Sequence, residues 1–116
     1  MKAIPNINGL TPDESRIAIA SLCAIANGPW FDIPNWEGDA ELKTIVGFDR
    51  GELLSIHAQI QSGHALDLAI NLAINNCLLN LLEYGGEMFR AEIPRWVAAS
   101  VEDVEALYEK WRRLFG

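Results

Sequence analysis

Residues 68 to 82, LAINLAINNCLLNLL, form the greasiest run of the chain, yet they hold four asparagines. A membrane span, a core helix with a polar seam and a ligand pocket would each explain that mixture differently. The widest membrane candidate, residues 66 to 82, is 17 residues long and contains Asp67 as well as the asparagines, too short and too polar to cross a bilayer. The run is therefore read as a helix over roughly residues 65 to 84, stopped by Gly85 and Gly86 and buried by the rest of the chain. A single helix of that kind demands others around it.

Helix signals recur elsewhere and strand signals do not. In LTPDESRIAIASLCAIANGP, Thr11 can cap, Pro12 suits the first helical position and Glu14 closes a capping box; Asn27, Gly28 and Pro29 end the helix. GPWFDIPNWEGD has no period and reads as an irregular connection. Asp39 is placed to cap a short helix through Val46, and Asp49 and Glu52 repeat the capping-box spacing before a helix ending at Gly63. After an irregular stretch containing Pro94, Ser100 and Asp103 start a last helix. On it Val101, Val104, Leu107, Tyr108, Trp111, Leu114 and Phe115 share an arc of about 140°.

These elements predict an all-α fold. We expect one domain spanning residues 1–116, a compact bundle of about five helices with a central apolar helix near 65–84 and an amphipathic C-terminal helix. In IAIASLCAIA apolar or small residues point in nearly every direction, as they do on the 65–84 helix. Two such helices are hard to bury in one small monomer, which predicts a homodimer.

The asparagines divide into two pairs. With Asn71 at 0° and about 100° per residue, Asn75 falls at about 40°, Asn76 at about 140° and Asn80 at about 180°. Asn76 and Asn80 then lie in the one sector that could face water. Asn71 and Asn75 lie among Leu68, Leu78 and Leu82 and are expected to be buried. Buried amides need partners, so this pair, with Asp67 one turn earlier, is predicted to form a polar seam that fixes helix register. A small-ligand or sensory pocket at Asp67, Asn71 and Asn75 is the alternative.

Charge narrows the function. The formal net charge is −7; residues 1–89 carry four basic and eleven acidic side chains, and residues 90–116 five of each. That balance disfavours nucleic acid, although DAELKTIVGFDRGELLSIHA has the shape of a helix-turn-helix. A degenerate helix-turn-helix regulator is accordingly a further alternative. His57 and His64 match no metal motif, Cys23 and Cys77 have apolar neighbours, and no phosphate loop or hydrolase signature occurs. We expect no catalytic residue, no metal and no cofactor. The thiols and the absence of an apolar leader in MKAIPNINGLTPDE suggest a cytoplasmic protein.

The connection before the second helix offers a contact surface. Trp30, Phe31 and Trp36 stand among Asp32, Glu37 and Asp39, an acidic rim around aromatic anchors that suits a protein partner with a basic surface. The expectation is thus an acidic, noncatalytic interaction module of adaptor or inhibitor type.

Overall fold

The computed structural model describes residue 7 and residues 9–32, 36–63 and 65–115, with only the backbone of Trp36 and Glu37. Every regular element among them is helical: α1 (Pro12–Asn27), a 3-10 turn (Pro29–Phe31), α2 (Trp36–Val46), α3 (Arg50–Gln61), α4 (Leu68–Glu83), α5 (Glu87–Arg90), α6 (Ile93–Val97) and α7 (Val101–Phe115). α1 packs against α3 on one side and α4 on another, α6 leans on α1, and α7 lies along α4.

Three helices begin at reciprocal caps. The Thr11 hydroxyl accepts the Glu14 N–H while the Glu14 carboxylate accepts the Thr11 N–H. Asp49 and Glu52 do the same, and so do Ser100 and Asp103. Each pair satisfies two of the backbone N–H groups that a helix start leaves open. Two of these carboxylates also bind a lysine from another helix: Lys110 of α7 reaches Glu14 at 2.8 Å, and Lys43 of α2 reaches Glu52 at 2.6 Å.

The helix ends are closed differently, by donors from distant parts of the chain. Arg50 Nε donates to the Ala26 carbonyl at the end of α1, and its Nη2 to Phe31 O at 3.4 Å. Arg16 donates to Val97 O, the last carbonyl of α6, and to Ala98 O just past it, at 2.9 and 3.1 Å. Asn76 donates to Val46 O, the last carbonyl of α2, at 2.9 Å. Trp30 Nε1 donates to Leu81 O near the end of α4, at 3.2 Å. A cation at a helix C-terminus also meets the negative end of the helix dipole, which Arg16 and Arg50 exploit.

Several boundaries differ from those read in the sequence. α2 starts at Trp36, so Asp39 is inside the helix rather than its cap, and its carboxylate accepts the Arg50 N–H at 2.9 Å. α4 starts at Leu68 because Asp67 caps it, accepting the Ile70 N–H at 2.8 Å while its own backbone stays extended. The stretch around Pro94 is not irregular; it forms the short helices α5 and α6, beyond the about five expected. Gly85 makes their approach possible: its φ is +82°, and a Cβ there would sit 1.7 Å from Phe89 Cδ2.

Two consequences can be measured. Arg50→Met removes a charge-assisted closure of α1, which contributes about 2 kcal/mol, so Tm falls by roughly 8 °C; Lys43→Met, which breaks an exposed ion pair, leaves Tm almost unchanged. Glu14 is held below its ordinary value of 4.5, first by the Lys110 hydrogen bond and then by the Thr11 N–H. A depressed carboxyl pKa supplies stability above the unfolded value and loses it as pH falls through the folded value. Glu14→Gln therefore flattens the loss of stability below about pH 4.5 in acid-unfolding curves.

Candidate functional site on the outer face of α4

Trp30 and Phe31 do not contribute to the aromatic surface expected at residues 30–39. Trp30 is 1% exposed and Phe31 0%. Trp30 bonds the end of α4, and Phe31 stacks on Tyr84 with ring centroids 4.0 Å apart. These rings plug the gap between the end of α1 and the end of α4, so neither can anchor a partner. Asp39 serves the start of α3, and among the described side chains of that group Asp32 is the exposed one. The side chains of Trp36 and Glu37 lie outside the described residues.

α4 is rolled relative to the expected wheel, so neither asparagine pair lies where the sequence placed it. Asn80 is buried and Asn76 half-buried, while Asn71 and Asn75 sit half-buried at the edge of the opposite face. The reason lies in the partners. Asn76 closes α2 through Val46 O, Asn80 Nδ2 bonds Asn76 O at 2.8 Å, and Asn75 Nδ2 bonds Asn76 Oδ1 at 3.2 Å. Carbonyls waiting inside the fold draw the amides inward. Ile70, Ala73, Ile74, Cys77, Leu78 and Leu81 fill the rest of the buried arc.

That rotation turns leucines outward. Leu68 is 84% exposed and Leu72 49%, with Asn75 and Leu79 half-buried in the same row. Positions 68, 72, 75 and 79 follow the alternating four-three spacing of a coiled-coil seam, and Leu82, next in that spacing, is buried in the core. No residue from 68 to 82 is charged. Beside the row runs a groove of about 240 Å³ lined by Leu68, Asn71, Leu72, Asn75, Trp111 and Phe115. Asn71 and Asn75 thus do come together, but Asp67 is occupied as a helix cap and does not line the groove. Ligand pockets for small molecules typically span about 300–1,000 Å³, and this groove is smaller.

Other concavities offer less. A groove of about 430 Å³ along α3 is lined by Phe48, Asp49, Glu52 and Ile56, but both carboxylates are engaged in the cap of that helix. Arg50, which a DNA-reading α3 would need, is turned inward to Ala26 and Phe31. His57 borders a cleft of about 190 Å³ with Arg16 and Gln61. Among the described residues no group of three or more His, Cys, Asp or Glu side chains is placed to hold a metal ion; His64 lies outside them. Burial pushes both thiols up, Cys77 furthest, with the neighbouring Cys23 adding to its shift. No helix among the described residues is long and apolar enough to cross a membrane.

Comparison with protein-family models, curated proteins and solved structures found no match to this chain. The helical wheel does not reveal this α4 face, because the roll of the helix is decided by a carbonyl that Asn76 meets 30 residues away. The four-three leucine spacing was the signal that could have revealed it.

The plugging role of Trp30 has a direct test. Trp30→Ala opens a cavity in the core and leaves Leu81 O without its donor, costing about 3–5 kcal/mol. Chemical denaturation monitored by circular dichroism then shows a large loss of stability, where an exposed anchor would show almost none.

Proposed function

We propose that this chain is a noncatalytic protein-interaction module and that the outer face of α4 is its contact surface. The observation that carries this reading is the exposed, uncharged leucine row of α4. Leucines left outward on a helix that packs its other side in the core mark a surface waiting for a partner. The row's spacing suits an incoming helix, whose side chains would enter the spaces between Leu68, Leu72, Asn75 and Leu79. The charged groups that could be mistaken for catalytic machinery hold helix ends instead: Arg16, Arg50, Glu14 and Glu52 are each committed to a cap. The acidic surplus lies elsewhere on the molecule, where it favours solubility and steers encounters without entering the contact.

A photoreactive benzoylphenylalanine in place of Leu72 tests the surface in cells. A discrete protein adduct is expected at position 72 and none at Glu102, which is exposed at the start of α7. Adducts at neither position, or equally at both, would remove the face from consideration.

A further inference from the structure

We draw no further inference here: the strongest candidate, the outward face of α4 at Leu68 and Leu72 with the groove lined by Trp111 and Phe115 beside it, carries none because nothing in the structure shows what covers it.

Discussion

The fold depends on closing helix ends. Each α-helix leaves its last carbonyls unpaired, and in a bundle this small those ends are drawn against neighbouring helices where water is scarce. Here the missing donors arrive through space: Arg50 for α1, Asn76 for α2, Trp30 for α4 and Arg16 for α6. Each bond therefore does two things, satisfying a carbonyl and fastening one helix to another. The same economy governs the helix starts, where Glu14 and Glu52 complete a cap and receive a lysine from a second helix.

This division explains what could be read in the sequence. Helix starts were legible because their chemistry is local: Thr11 with Glu14, Asp49 with Glu52 and Ser100 with Asp103 are each three residues apart. Helix ends were not, because their donors lie 24 to 82 residues from the carbonyls they serve. Asp39 shows the cost of reading only locally. It has the composition of an N-cap for its own segment, but it serves the first N–H of the following helix across a turn. Trp30 and Phe31 escape a local reading for the same reason, since only the tertiary positions of Leu81 and Tyr84 reveal that the rings are enclosed.

The asparagines of α4 show how such bonds outweigh helical-wheel logic. A wheel ranks side chains by polarity and sends the most isolated polar pair to the surface. A carbonyl at the end of α2 reverses that order, because an amide that meets it inside the fold loses little on burial, whereas the carbonyl left alone would cost about 1–3 kcal/mol. Once Asn76 is held by Val46 and Asn80 lies behind it, the leucines on the neighbouring sector have nowhere to go but outward. α1 cannot receive them: it is already lined on nearly every side by its own Ile, Leu and Ala residues against α3 and α4.

The roll of α4 is consequently fixed at two heights. Val46 holds it at mid-helix through Asn76, and Trp30 holds it near the C-terminus through Leu81. With the roll held there, the helix cannot turn Leu68 or Leu72 inward without breaking a bond that closes a helix end. The leucine row is thus presented by a pinned element, and a partner would meet it with little ordering left to do, which is the condition under which a modest apolar face binds well. Asn75 belongs to both systems: it donates to Asn76 within the chain and lies in the outward row between Leu72 and Leu79.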